Sequence, residues 1–117
     1  DGILFHQGES NHFHKQGNNC YYENFNFFYN KLKLDNINSK FYLSMTSYCG
    51  KVYSIDTELL KIQDKIIKEN KNIFRGPNTD LLIDDIYRLD DECHFSLLGL
   101  DKFSDMWVIS INNKSQD

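Results

Sequence analysis

Apolar and polar positions alternate along this chain in two rhythms. Residues 3–5 form a short apolar run between Gly2 and the polar His6-Gln7-Gly8. That pattern predicts a buried strand that delivers a loop at its C-terminal end. Residues 6–20 are polar, rich in His, Asn and Gly, and aperiodic, which predicts a loop. From 21 to 34, Tyr22, Phe25, Phe28, Tyr29 and Leu32 fall at helical spacing, with Asn18 or Asn19 as the candidate cap. Residues 40–48 alternate Phe41, Leu43 and Met45 against Tyr42, Ser44 and Thr46, a strand with Gly50 after it. Asp56 then precedes Leu59, Leu60, Ile62, Ile66 and Ile67, which predicts a capped helix reaching Asn70. Ile73 and Phe74 read as a weak strand that stops at Gly76-Pro77, and residues 78–91 as irregular. Ser96 is placed to cap a last helix carrying Leu100, Phe103, Met106, Trp107 and Ile111.

Strands that alternate with helices predict an α/β layer fold with a largely parallel sheet. Two or three strands make a narrow sheet, and parallel strands need both faces covered and usually more neighbours. The 117 residues, 13.9 kDa in all, therefore read as part of one domain, the second half of a larger doubly wound unit. The chain opens in the strand itself, with no initiator Met or signal peptide, so any targeting segment is expected upstream and the compartment stays open.

Composition narrows the function classes. Large apolar residues recur throughout, including nine Phe and seven Tyr, which argues against global disorder. Thirteen Lys and Arg against seventeen Asp and Glu give a net charge of −4, with no basic stripe, so nucleic acid is not an expected partner. No apolar run approaches the roughly 18 residues of a membrane span. Cys20, Cys49 and Cys93 are odd in number and lack CxxC spacing, so reduced, buried thiols are expected rather than a disulfide framework or zinc knuckle.

Two polar clusters carry candidate chemistry. Phe5-His6-Gln7-Gly8-Glu9-Ser10-Asn11 follows a strand, and Asp91-Glu92-Cys93-His94-Phe95-Ser96 precedes a helix. Ligands of open α/β sheets sit at the carboxyl ends of strands, where the first cluster lies and which the second can reach. A spacing of three in a tight turn lets Asp91 accept from His94 Nδ1–H, which leaves Nε2 free as a general base. The alternative is an Asp–His contact that merely holds a turn.

Taken together the two clusters resemble a family. His6-Gln7-Gly8-Glu9-Ser10-Asn11 is similar to the His-Gln-Gly-Glu block of the SGNH (GDSL-like) carbohydrate esterases, in the branch of sialate O-acetylesterases and acetylxylan esterases. Asp91-x-x-His94-Phe95-Ser96-x-x-Gly99 resembles that family's last block, and Phe103-Ser104-Asp105-Met106-Trp107 its closing helix. The resemblance implies a three-layer α/β/α, flavodoxin-like SGNH fold, present here as its C-terminal half. It implies a serine hydrolase acting on O-acetylated sugars, with no cofactor. His94 would be the base, oriented by Asp91 or by Glu9. Gln7 would help bind the oxyanion, and Gly8 would permit close backbone approach to substrate. Local roles stand beside these: Glu9 capping a turn, Gln7 tying the loop together.

The family's nucleophilic Ser block has no counterpart in residues 1–117, so the Ser is expected from a missing N-terminal half or another chain, and the chain alone is expected to be inactive. Gly8-Glu9-Ser10-Asn11-His12 is not a nucleophile elbow, so Ser10 is not the expected substitute. His6, Glu9, His12 and His14 match no catalytic zinc spacing, so no metal is expected. A non-catalytic carbohydrate-binding remnant, stacking sugars on Tyr21, Tyr22 and Tyr48, is the alternative function.

Overall fold

The computed structural model describes residues 1–14, 17–52 and 54–113. Its elements are β1 (Gly2–Phe5), α1 (Glu9–Phe13), α2 (Asn18–Leu34), β2 (Lys40–Met45), α3 (Thr57–Glu69), β3 (Ile73–Asn78) and α4 (Leu97–Asn112). Two 3-10 turns, Thr79–Leu81 and Asp85–Tyr87, lie between β3 and α4. The strands form one parallel sheet in the order β1-β2-β3, so the chain is mixed α/β with a small parallel sheet.

The pleat sorts the side chains. Ile3 and Phe5 of β1, Phe41 and Leu43 of β2, and Ile73 of β3 face one way. Against them α2 brings Tyr21, Phe25 and Tyr29, and α3 brings Leu59 and Ile66. The rings of Phe5, Phe25, Phe28, Tyr29 and Phe41 meet edge-on or offset at centroid separations of 5.5–6.5 Å, arrangements that aromatic quadrupoles favour. Leu4 and Tyr42 point the other way and share a groove with Ile111 of α4. Helices thus cover both faces, and β2, in the middle, is buried from Phe41 to Met45.

Several expectations change in detail. The ladder of β2 ends at Met45, although Thr46, Ser47 and Tyr48 stay buried beyond it. Gln63 of α3 explains how. Its Oε1 accepts from Thr46 N–H at 2.9 Å and its Nε2 donates to the Thr46 carbonyl at 2.9 Å, so one amide side chain stands in for a strand neighbour. β3 does not stop at Gly76-Pro77 but runs through to Asn78. It is an edge strand with a register shift between Leu43 and Met45 of its partner, a place where the missing N–H of Pro77 is tolerated. Asp56 and Ser96 cap as expected, Asp56 accepting from the N–H groups of Glu58 and Leu59, and Ser96 from Gly99. Neither Asn18 nor Asn19 caps α2: Gly17 holds that position without a side-chain bond. The expected loop at 6–20 contains α1 and the start of α2, and Lys15 and Gln16 lie outside the described residues.

The thiols are the largest correction. Cys49 and Cys93 form a disulfide across a sequence separation of 44, and Cys20 is free and exposed. The sequence offers no spacing cue for a pair so far apart. No helix among the described residues is long and apolar enough to cross a membrane.

Candidate active site

The carboxyl end of β1 delivers His6-Gln7-Gly8 directly into α1. The second cluster arrives on a loop that is closed at its base. Leu89 N–H donates to the His94 carbonyl at 2.8 Å and Ser96 N–H to the Tyr87 carbonyl at 2.9 Å, flanking an antiparallel bridge between Arg88 and Phe95. At its tip Glu92 adopts φ 60°, a left-handed conformation that costs a residue with a Cβ roughly 1 kcal/mol. Lys51 holds the Glu92 carboxylate there, through its backbone N–H at 2.9 Å and its Nζ at 3.2 Å.

Both clusters line one cavity of about 730 Å³. His6, Glu9 and Ser10 come from the first, and Asp91, Cys93 and His94 from the second. Phe13, Phe95, Leu100 and Phe103 supply apolar walls, and Cys49 completes the disulfide at the rim. The turn Asp91–His94 does what its spacing predicts. Asp91 Oδ1 accepts from the N–H groups of Cys93 and His94, both at 2.9 Å, and Oδ2 pairs with His94 Nδ1. The His94 bond, with those two N–H bonds, lowers the Asp91 carboxyl to about 2. Because the folded value is depressed, this contribution to stability is present above the ordinary carboxyl range and is lost as pH falls through about 2. A carbon-detected titration of the Asp91 carboxylate is expected to show that low midpoint, and His94→Ala to move it upward. An Asp91 midpoint indifferent to His94→Ala would mean the pair does not form.

Glu9 occupies the same cavity but another partnership. Its Oε1 lies 2.5 Å from His6 Nε2, and no hydrogen bond joins it to His94 among the described residues. Burial by itself pushes the Glu9 carboxyl up, but the hydrogen bond and charge of His6, together with hydrogen bonds from the Glu9 backbone and Thr46, outweigh it, so the carboxyl sits below its ordinary value. Of the two candidate orienting acids, Asp91 is the one in contact with His94.

Gln7 and Gly8 differ from expectation. Gln7 is exposed and its side chain does not line the cavity. It is tied down by its carbonyl, which accepts from Tyr21 Oη at 3.0 Å and Gln63 Nε2 at 3.4 Å. Burial pushes the Tyr21 hydroxyl up to about 12, which keeps it a donor. Gly8 is buried, and the close approach it permits is to the chain itself rather than to substrate: a Cβ there would overlap the Thr46 carbonyl oxygen and lie 2.7 Å from Gln63 Nε2. Gly8→Ala is expected to cost about 1–3 kcal/mol, because backbone and not a flexible side-chain end must yield. Urea unfolding checks this, and an unchanged midpoint would mean that the contact relaxes freely.

The remaining histidines disperse. His12 Nδ1 lies 3.2 Å from Asp56 Oδ2, and the ring of His14 stands edge-on to Phe13. Among the described residues no three His, Cys, Asp or Glu side chains are grouped to hold a metal ion. Tyr21 and Tyr48 are buried, and Tyr22 donates to Glu69 Oε2 at 2.6 Å, so none of the three lines the cavity.

The residue that sequence reading missed is Arg88. It is 5% exposed, and its guanidinium donates to three carbonyls: Leu82 at 2.6 Å, Cys93 at 2.5 Å and Thr79 at 3.1 Å. It also lies over the rings of Phe95 and Tyr48, at 4.2 and 5.3 Å. Burial pulls its pKa below the usual guanidinium value, against the opposing charges of Glu9 and Asp80. A lone Arg in an irregular segment gives no sequence signal; its role shows only in the carbonyls it gathers, two from the turn at residues 79–82 and one from the loop between Asp91 and His94. No family model, curated protein or solved structure matches the chain.

Proposed function

We propose that this chain is the base-bearing portion of a serine-type O-acetyl esterase acting on acetylated carbohydrate, of the SGNH class. One observation carries the reading: a carboxylate-bound imidazole, Asp91–His94, stands at a cavity with its Nε2 facing away from the carboxylate. The His94 side chain is 76% exposed, as a base awaiting a nucleophile would be. Helices on both faces of a parallel sheet support a flavodoxin-like α/β/α arrangement of which these three strands are part.

The mechanism follows from roles. A Ser from polypeptide outside residues 1–117 attacks the acetyl carbonyl, and His94 Nε2 takes its proton. Asp91 holds the ring through Nδ1–H and stabilises the imidazolium. The tetrahedral intermediate collapses as His94 returns the proton to the departing sugar oxygen. Water then attacks the acetyl-enzyme, with His94 again as base, and acetate leaves. The Gln7 side chain does not line the cavity, so the oxyanion donor, a role worth about 3–4 kcal/mol in such sites, is assigned to the polypeptide that supplies the Ser. Ser10 lines the cavity, but no hydrogen bond joins it to His94 among the described residues, so it is not assigned as the nucleophile.

The test is acetate release from acetylated xylose by the chain co-expressed with the polypeptide encoded directly upstream. Turnover is expected only with both parts present, and His94→Ala is expected to abolish it. Turnover that survives His94→Ala, or none with a folded complete protein, overturns the reading.

A further inference from the structure

A hydroxyl has one hydrogen to donate. Ser44 Oγ lies 2.9 Å from the Pro77 carbonyl oxygen, which only accepts, and 3.0 Å from His6 Nδ1. Ser44 is fully buried on the central strand. With its hydrogen committed to Pro77, it accepts from His6, so Nδ1 carries a hydrogen. On the other side of the ring, Nε2 and Glu9 Oε1 lie 2.5 Å apart, a separation that requires a proton between them. Both ring nitrogens therefore engage as donors, to partners on β2 and α1. The rings of Phe103 and Phe95 flank the imidazole at 5.0 and 6.4 Å, which leaves its side chain 27% exposed and that of Glu9 19%.

We propose that His6 is a positioning residue of the cavity: locked as a double donor between Ser44 and Glu9, it pins the Gln7–Gly8–Glu9 segment to the central strand and holds the Glu9 carboxylate to itself rather than to His94. The functional importance of that segment rests on reading the cavity as an esterase site; the locked geometry does not. His94 is thereby left with one carboxylate, Asp91, and the cavity holds two imidazoles with different duties. His6 is spent on structure, and His94 keeps Nε2 available.

Nitrogen NMR of the whole chain, with labelled histidine, tests this. At neutral pH, His6 is expected to show a hydrogen on Nδ1 and a proton shared far downfield between Nε2 and Glu9. A bare Nδ1 on His6 overturns the proposal, and this measurement needs no variant. Two substitutions then separate positioning from simple space filling. His6→Gln places an amide donor near the Nε2 position but carries no charge, so the Glu9 midpoint is expected to rise less than when the donor itself is lost. His6→Asn places its donor near Nδ1, keeps the Ser44 bond and loses Glu9, so the Glu9 midpoint is expected to move upward. Equal Glu9 midpoints in the two variants overturn the proposal. Acetate release by the chain co-expressed with the polypeptide encoded directly upstream reads the other question. If a folded complete protein releases none while His6 shows its Nδ1–H and shared proton, the esterase reading fails and the positioning role stands.

Discussion

Replacing Arg88 by Met is expected to lower the unfolding free energy by about 3–5 kcal/mol. The side chains are similar in length and both pack against rings, so the change isolates the guanidinium. The carbonyls of Leu82 and Cys93 lose this donor, and that of Thr79 is left with the Leu82 N–H alone. An orphaned buried carbonyl costs about 1–3 kcal/mol, and the partly exposed Cys93 end can recover water, so the total falls below the simple sum. Arg88→Lys is expected to rescue little, because one ammonium cannot span a fork set for three acceptors. The same substitution loosens the loop that carries Asp91 and His94, since Cys93 lies between them. Urea denaturation and the amide shifts of Cys93 and His94 check both effects. A Met variant within about 0.5 kcal/mol of wild type would show that Arg88 is an ornament of the loop and not its anchor.

Removing the Cys49–Cys93 disulfide is the second large effect. Cross-linking across a separation of 44 restricts the unfolded chain, and for a loop of that size the entropy model gives about 4 kcal/mol, with about 2–4 typical of measured cases. For a chain of 117 residues, 3 kcal/mol corresponds to a fall of about 12 °C in Tm. Cys49→Ser with Cys93→Ser is expected to show that fall in calorimetry, and dithiothreitol to reproduce it in the wild type while leaving the double variant unchanged. A wild-type Tm indifferent to reductant would mean that the bond is absent in solution or that Arg88 and the Arg88–Phe95 bridge already hold the loop without it.

These two tethers also explain which parts of the site were readable in advance. Asp91 and His94 sit three residues apart in a tight turn, so their pairing is a local event, and spacing predicts it. The capping of α3 by Asp56 and of α4 by Ser96 is local in the same way. Glu9 was ambiguous because its choice between His6 and His94 depends on where the second loop arrives. That arrival is set by Arg88 and the disulfide, whose partners lie between 5 and 44 residues away in sequence. Gly8 shows the same divide. Its smallness is visible, but only packing reveals that the neighbour requiring it is Thr46. The continuation of β3 through Gly76-Pro77 also escaped local reading, since a proline is tolerated or excluded according to whether its strand lies at an edge.

The residue pattern alone established a mixed α/β chain, the periods of its strands and longer helices, and the Asp91–His94 turn, because each depends on contacts within a few positions. Tertiary structure decided the disulfide, the buried guanidinium, the Gln63 surrogate strand and the division of two carboxylates between two imidazoles. The disulfide and the Gln63–Thr46 bonds join residues 44 and 17 positions apart, and where partners are near in sequence, as for Arg88 and for His6 with Glu9, packing still decides which of several possible partners is taken, a choice that leaves no imprint on residue spacing.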